Sequence, residues 1–245
     1  MIPKKIHYCW FGRGEKPKLY NDCIESWKKY FPDFEIIEWN EDNFDVSCND
    51  YVKEAYENKK YAFVSDYARL KILYEHGGIY FDTDVEVLKR IPDAILETGY
   101  FAKEQPTEVQ TGLGFAVYPQ NKMVKYMMDD YKKIHFMNNG EMDLEPCPKR
   151  NTRSLTKKGY KIDAQTRYLD KTPIFEKEYF CGYDIFNNHY IINDKTYTVH
   201  HYSGSWLSKQ EQTKAKIRKR ISKIIGTNNY ELLRKLKKKI IKKEK

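Results

Sequence analysis

Gly77-Gly78-Ile79-Tyr80-Phe81-Asp82-Thr83-Asp84 is the stretch whose reading decides the fold. Two glycines close a helical pattern, an apolar triplet follows, and two carboxylates end it. The pattern upstream carries Ala68, Leu70, Ile72 and Leu73, with Ser65 as the expected N-cap and His76 in the last turn, where a cation suits the negative end of the helix dipole. Ile79-Tyr80-Phe81 reads as a buried strand, so Asp82 and Asp84 stand at its carboxyl end, where open α/β sheets bind their ligands. Residues i and i+2 of a strand point the same way, so the two carboxylates can converge. Such a pair suits a hard divalent cation, Mn2+ or Mg2+, whose other positions are filled by diphosphate oxygens. The same spacing occurs in any solvated acidic loop; the apolar strand and paired glycines before it set this one apart.

The segments on either side fit an α/β sheet. Ile6 to Phe11 is β-prone and ends in a glycine loop at Gly12-Arg13-Gly14. Ile24, Trp27, Lys28 and Phe31 recur at helical spacing until Pro32 stops them, and Phe34 to Trp39 is a second strand. Strand, helix, strand opens an α/β fold. Further on, residues 51–58 read as a short helix, Val85 to Leu88 as extended, Gly112 to Val117 as a strand and residues 121–136 as a helix. Residues 138–170 read as an irregular insert, and 175–186 and 190–202 as strand pieces. No internal repeat is visible.

The chain has 245 residues, 40% hydrophobic and 15% aromatic with 21 tyrosines, a composition that excludes a disordered or collagen-like chain. No apolar run approaches the ~20 residues of a membrane-spanning helix, and the first residues lack the apolar stretch of a secretory signal. The net charge of +9 is unevenly spread. Residues 209–245 hold 15 Lys and Arg against 3 Asp and Glu, which leaves the body slightly acidic. Ile217, Ile221 and Ile224 line one apolar stripe; Leu232, Leu233, Leu236 and Ile240 line another. The division expected is a catalytic body over 1–208 and a basic amphipathic helical tail over 209–245. The tail reads as an anchor for an anionic membrane surface, against the plainer possibilities of a solvated helix or a partner-binding helix. Five cysteines, odd in number and without a CxxC pair, suit a reducing compartment better than a disulfide framework.

Three clusters besides Asp82 and Asp84 carry possible chemistry. Asp66 and Arg69 share one helix face at i and i+3, either as a surface ion pair or as a clamp for hydroxyls. His200-His201-Tyr202-Ser203-Gly204-Ser205-Trp206 offers imidazoles for a metal and an indole N–H for an oxyanion, or is simply a strand end and turn. Trp10, after the first strand, is either core or a platform for a nucleobase. Glu104, Gln110 and Asp184 are polar candidates in the less legible middle.

Taken in order, Ile2 to Gly12, Ala62-x-x-Ser65-Asp66-x-x-Arg69, Gly77 to Asp84 and His201-Tyr202-x-Gly204-Ser205-Trp206 resemble glycosyltransferase family 32, which includes capsular-polysaccharide and O-antigen sugar transferases. The chain is similar, more distantly, to the catalytic domain of the large clostridial glucosylating toxins, and its His-x-x-Gly to the family 8 galactosyltransferases. The resemblance covers about residues 1–90 and 195–206. It implies a GT-A fold, a Rossmann-like mixed sheet flanked by helices, with a nucleotide-sugar donor (UDP favoured), manganese or magnesium, and retention of anomeric configuration. It implies that Trp10 stacks on the base, that Asp66 and Arg69 hold ribose and sugar hydroxyls, and that Tyr80, Ser205 and Trp206 contact the donor. Asp82 would be the sugar-side carboxylate, near the metal, with Asp84 the direct metal ligand and His201 the second, His200 being the alternative. Where the toxins carry glutamate and serine, this chain has His201 and Gly204.

The expectation is a transferase that extends a saccharide, lipid-linked at the inner face of the plasma membrane, in the cytoplasm, without nucleic acid as a partner. A nucleotide-sugar phosphohydrolase and a non-enzymatic membrane- or nucleic-acid-binding protein are the competing readings. The first predicts donor cleavage independent of acceptor. The second predicts salt-dependent binding indifferent to Asp84→Asn.

Overall fold

The computed structural model describes residues 1–184 and 189–204. Ser205, Trp206 and the whole basic stretch 209–245, with the helices and membrane contact expected of it, lie outside the described residues. The chain runs β1 (Lys5–Cys9), α1 (Lys18–Tyr30), β2 (Glu35–Trp39), α2 (Asp50–Glu57), α3 (Tyr61–His76), β3 (Gly78–Tyr80), β4 (Val85–Val87), α4 (Asp93–Thr98), β5 (Phe101–Gln105), β6 (Glu108–Gln110) and β7 (Phe115–Val117). It continues through α5 (Lys122–Asp130), a 3-10 turn, the small hairpin β8 (Met137–Asn138) and β9 (Glu141–Met142), α6 (Cys147–Thr156), β10 (Tyr168–Leu169), β11 (Thr172–Phe175), α7 (Lys177–Phe180), β12 (Tyr183–Asp184), β13 (His189–Tyr190) and β14 (Thr198–His200).

The fold is mixed α/β around a mixed sheet of order β2-β1-β3-β7. β1 pairs in parallel with β2 and β3, and β7 is antiparallel to β3. A second sheet, β10-β11-β5-β6, adjoins its β7 edge through paired hydrogen bonds between Tyr100 and Ala116. Apart from these, β14 runs antiparallel to β4, His200 opposite Val85. The period-2 alternation of the central strands divides the core. Ile6, Tyr8, Ile79 and Ala116 face α1, which buries Cys23, Ile24, Trp27 and Phe31; Cys9, Tyr80, Phe115 and Val117 face α3 and α5. Trp27 fills the first layer fully buried, its indole N–H donating to the Val85 carbonyl at 2.7 Å. A residue of that size, with its one polar atom satisfied, fixes α1 against the start of β4.

Gly78 is needed where α3 turns into β3. Its φ is +98°, and a Cβ there would lie 2.6 Å from the Lys5 carbonyl oxygen, so a side chain would push β3 off β1. His7, fully buried between them, accepts from the Trp39 indole at 3.0 Å and reaches the Gly77 carbonyl with its other nitrogen at 3.0 Å. The Trp39 bond needs the neutral ring, because Nδ1 must accept it, and burial holds the His7 pKa down at about 4 although the bond to Gly77 opposes this. The unfolded chain takes up this proton near pH 6.5, whereas the folded protein refuses it until about pH 4. Stability therefore falls as pH drops through that window, by about 3 kcal/mol from this group. Urea unfolding at pH 7.0, 5.5 and 4.5 should show the gap between wild type and His7→Gln closing as pH falls. A gap that stays constant would rule out His7 as the source.

The structure departs from the sequence reading in four places. α3 begins at Tyr61, not at Ser65: the Ser65 hydroxyl back-bonds to the Tyr61 carbonyl at 3.1 Å inside the helix, a use of serine that resembles a cap in sequence. The helix expected over 121–136 stops at Asp130 and passes into the 3-10 turn Tyr131–Lys133. The insert expected to be irregular contains α6, whose Cys147, Asn151, Ser154 and Leu155 are buried at helical spacing. Within 175–186 the chain forms the short helix α7. No helix among the described residues is long and apolar enough to cross a membrane.

Candidate active site

β3 ends at Tyr80 and delivers Phe81 into the core, so the next residues emerge at the rim of the sheet. Asp82 donates its backbone N–H to the Gly112 carbonyl at 3.3 Å. Its Oδ1 accepts from the Arg69 guanidinium at 3.0 Å and from the Tyr80 hydroxyl at 3.0 Å. The same Arg69 nitrogen lies 3.1 Å from Asp66 Oδ1, while its Nε donates to the Ser65 carbonyl at 3.1 Å. Arg69 is only 4% exposed and lies 5.1 Å from the centre of the Tyr80 ring. Asp66 and Arg69, an i,i+3 pair that could have been a surface bridge, are thus buried around Asp82. Burial lifts Asp66 to about 6 even with the guanidinium beside it, and burial raises Asp82 too, again against Arg69.

Asp84 turns the other way. One oxygen accepts from His200 Nε2 at 3.1 Å; the other accepts from the Ser203 amide and hydroxyl, both at 2.8 Å. Although burial opposes it, His200 and these donors hold the Asp84 carboxyl well below the usual carboxylate range. Burial works against the His200 cation as well, yet Asp84 raises its pKa. The strand pairing explains this meeting of residues 116 apart: β14 lies on β4 with His200 opposite Val85, the residue next to the aspartate.

The sequence reading set His201 beside Asp84, and here the structure differs. Adjacent residues of a strand face opposite ways, so His200 reaches Asp84 while His201 turns to Glu86 Oε2 at 2.9 Å and to the Tyr190 hydroxyl at 3.3 Å. Trp10 is half-buried at the end of β1. It stands edge-on to Tyr20, donates to the Gly14 carbonyl at 2.7 Å, and borders a cleft of about 250 Å³ with Lys16, Glu38, Asn40 and Glu41. Ser205 and Trp206 are outside the described residues, so the structure brings together Asp66, Arg69, Tyr80, Asp82 and Asp84, with Trp10 at the neighbouring strand ends.

Sequence reasoning missed three contributors. Ser203 clamps Asp84 through backbone and side chain, and only the motif's position hinted at it. Cys147, at the start of α6, lies 3.3 Å from Thr111 Oγ1 and from Asn151 Nδ2 and 3.9 Å from Arg69, in a segment with no readable pattern. Gly112 packs so tightly that a Cβ would fall 2.3 Å from Asp82 Oδ2 and 3.2 Å from Arg69 Nη1. Gly112→Ala should therefore displace the Asp82 carboxylate, costing about 1–3 kcal/mol of stability and on the order of 100-fold in turnover. Parallel melting curves and steady-state kinetics test this; unchanged kcat/KM would show that Asp82 tolerates the shift.

The donor chemistry fits a hard divalent cation. Asp82 and Asp84 supply carboxylate oxygens, and the buried Nδ1 of His200 has no hydrogen-bond partner. No group of three or more His, Cys, Asp or Glu side chains among the described residues is arranged to hold an ion alone. Such a site suits an ion shared with the oxygens of a substrate.

Residues 17–102 match the family described as the glycosyltransferase sugar-binding region containing a DXD motif. The chain carries a DXD glycosyltransferase region. It is 28% identical over 121 residues to Subversion of eukaryotic traffic protein A of Legionella pneumophila, covering 38% of this chain and 19% of that protein. It is 28% identical over 120 residues to inositol phosphoceramide mannosyltransferase 3 of Schizosaccharomyces pombe, covering 47% of this chain and 33% of that one. The chain thus spans a third or less of the length of these two relatives. Among solved structures it is similar to the PaToxG glycosyltransferase, with 18% identity, a TM-score of 0.47, and coverage of 64% of this chain and 69% of that one.

Proposed function

We infer that the chain is a metal-dependent, retaining glycosyltransferase of GT-A architecture. It moves a hexose from a nucleoside-diphosphate donor to a saccharide acceptor in the synthesis of a bacterial surface polysaccharide. The observation that carries this reading is the pair of carboxylates at the end of β3, Asp82 on the Arg69–Asp66 clamp and Asp84 on His200 and Ser203.

In this reading Asp84, with Asp82 beside it, would hold Mn2+ or Mg2+. His200 is the imidazole already at Asp84, whereas His201, the ligand expected from the sequence, is engaged by Glu86. A bound divalent cation supplies Lewis acidity to the leaving diphosphate. The chain's own residues position the donor. Trp10 and the cleft beside it receive the base, and Tyr80, Ser205 and Trp206 contact the rest of the donor. Asp66 and Arg69 fix ribose and sugar hydroxyls so that the acceptor meets the anomeric carbon. Among the described residues no carboxylate stands out as a nucleophile, and in this reading the acceptor oxygen attacks from the face of the departing phosphate, which takes its proton. A glycosyl-enzyme adduct caught by mass spectrometry would overturn that step. Resemblance favours a uridine donor; the relative named a mannosyltransferase adds mannose to the candidate sugars. The basic tail 209–245 would hold the enzyme on the inner face of the plasma membrane, near a lipid-linked acceptor.

A thermal-shift screen against UDP-, GDP-, CMP- and dTDP-sugars, each with and without manganese, tests the reading. A ligand that binds only the folded state raises the melting temperature. A manganese-dependent shift with one nucleotide class, together with acceptor-dependent transfer, is expected. No shift with any donor would sink it, and donor cleavage indifferent to acceptor would make the protein a phosphohydrolase.

A further inference from the structure

Glu104 and Gln110 face each other across the β5–β6 hairpin, beyond the carboxylate pair. Gln110 Nε2 donates to Glu104 Oε2 at 3.0 Å, while Gln110 Oε1 accepts from the Gly112 amide at 3.0 Å. Gly112 is the residue pressed against the Asp82 carboxylate, so one short backbone segment ties Gln110 to the site. On its other side lies Tyr202, whose hydroxyl meets Cys181 Sγ at 3.3 Å and whose pKa burial raises, with the nearby Glu104 charge adding to the rise. The Tyr202 ring lies 4.0 Å from that of His200, the partner of Asp84. Tyr202 itself has φ +48°, a left-handed backbone that a bulky residue adopts only where its surroundings impose it. The Glu104 carboxylate is thus held by Gln110 at the rim of the site, and it is partly exposed rather than buried.

The strand order says which substrate would meet it. The cleft beside Trp10 lies at the ends of β1 and β2; Asp82 and Asp84 follow β3; β7 comes next, and Tyr100 carries β5 on from β7. Glu104 therefore lies across the carboxylate pair from the cleft. A donor that puts its base in the cleft and its diphosphate at Asp84 leaves the far side to the second substrate. A carboxylate is an acceptor only, with about four lone-pair sites, and the bond from Gln110 leaves room for a hydroxyl donor. We propose that Glu104, oriented by Gln110, accepts a hydrogen bond from a hydroxyl of the acceptor saccharide. The proposal rests on the transferase reading above.

The test uses the full chain with manganese, the donor found by the nucleotide screen at saturation, and p-nitrophenyl α- and β-hexosides as acceptors. Donor Kd is measured separately by calorimetry. Glu104→Gln keeps the size of the side chain and its contact with Gln110, so the variant should fold; it should raise acceptor KM on the order of tenfold. Glu104→Asp, which keeps the charge, should fall between wild type and Glu104→Gln. Donor Kd should stay within about twofold in both. An unchanged acceptor KM would overturn the proposal. So would a donor Kd that weakens in step with acceptor KM, because Glu104 would then act on Asp84 through Tyr202 and His200. A wild type that transfers to none of the hexosides is a different failure: the transfer reading falls first, and this inference with it.

Discussion

Asp84→Asn should abolish manganese-dependent donor binding and reduce transfer on the order of 1,000-fold. The substitution is nearly isosteric, so the effect comes from charge. Asp84 collects three hydrogen bonds, from His200, the Ser203 amide and the Ser203 hydroxyl, and their combined pull keeps it ionised. Asparagine presents one acceptor oxygen and an NH2 group that would face a donor. If Asp84 holds the cation as proposed, its loss would remove a Lewis-acid contribution worth several kcal/mol in metal-dependent transfer. His200 would lose the carboxylate that its Nε2 meets, and the folded state should lose about 2–3 kcal/mol. The two effects separate by temperature. Transfer assayed well below the melting point reports chemistry, and the melting curve reports stability. If Asp84→Asn keeps more than a tenth of wild-type transfer with the manganese response intact, the metal assignment fails.

Arg69→Ala should be the most destabilising single change in the site, by about 3–5 kcal/mol, a large share of the stability of a typical domain. The guanidinium is the common partner of Asp66 and Asp82 in a nearly dry setting, and Tyr80 covers its face. Its removal leaves Asp66 and Asp82, each within 3.1 Å of the guanidinium, without their shared counter-charge. Arg69→Lys should recover only part of this, since an ammonium lacks the fork that serves both acids and the Ser65 carbonyl. The double variant Asp66→Asn/Arg69→Met should be more stable than Arg69→Ala while staying inactive, because it removes one stranded charge without restoring the clamp. Urea denaturation of wild type, Asp66→Asn, Arg69→Met and the double variant gives the coupling energy directly. Additive effects of the Asp66 and Arg69 changes would show that the pair is not a unit.

Much of this site could be read from residues close together in sequence. Asp82 and Asp84 follow an apolar strand, Asp66 and Arg69 lie one helical turn apart, and the intervening glycines mark the join; these are local signals. The central βαβ unit was legible for the same reason, its apolar residues repeating with the periods of strand and helix. What stayed hidden depended on distant pairing. Whether His200 or His201 faces Asp84 turns on the register of β14 against β4, which no local pattern encodes. Helix α6 was unreadable because its buried face is built from Cys147, Arg150, Asn151 and Ser154, polar residues that pack inward only because Asp143, Glu145, Thr111 and the Arg150 carbonyl are there to meet them. Ser65 misled because a serine hydroxyl bonding backward within a helix and one capping its start look alike in sequence.

The pairing of β4 with β14 also sets an order of assembly. Asp84 leaves the ribosome more than a hundred residues before His200 and Ser203, and until they arrive its carboxylate has none of the donors that later surround it. The nascent sheet can form around β1, β2 and β3 while its reactive end is still half a site. Closing that loop is entropically slow compared with forming the local βαβ unit. The site therefore becomes competent only once Ser203 has been made, and a chain cut short before Thr198 would leave Asp84 without the donors that hold it.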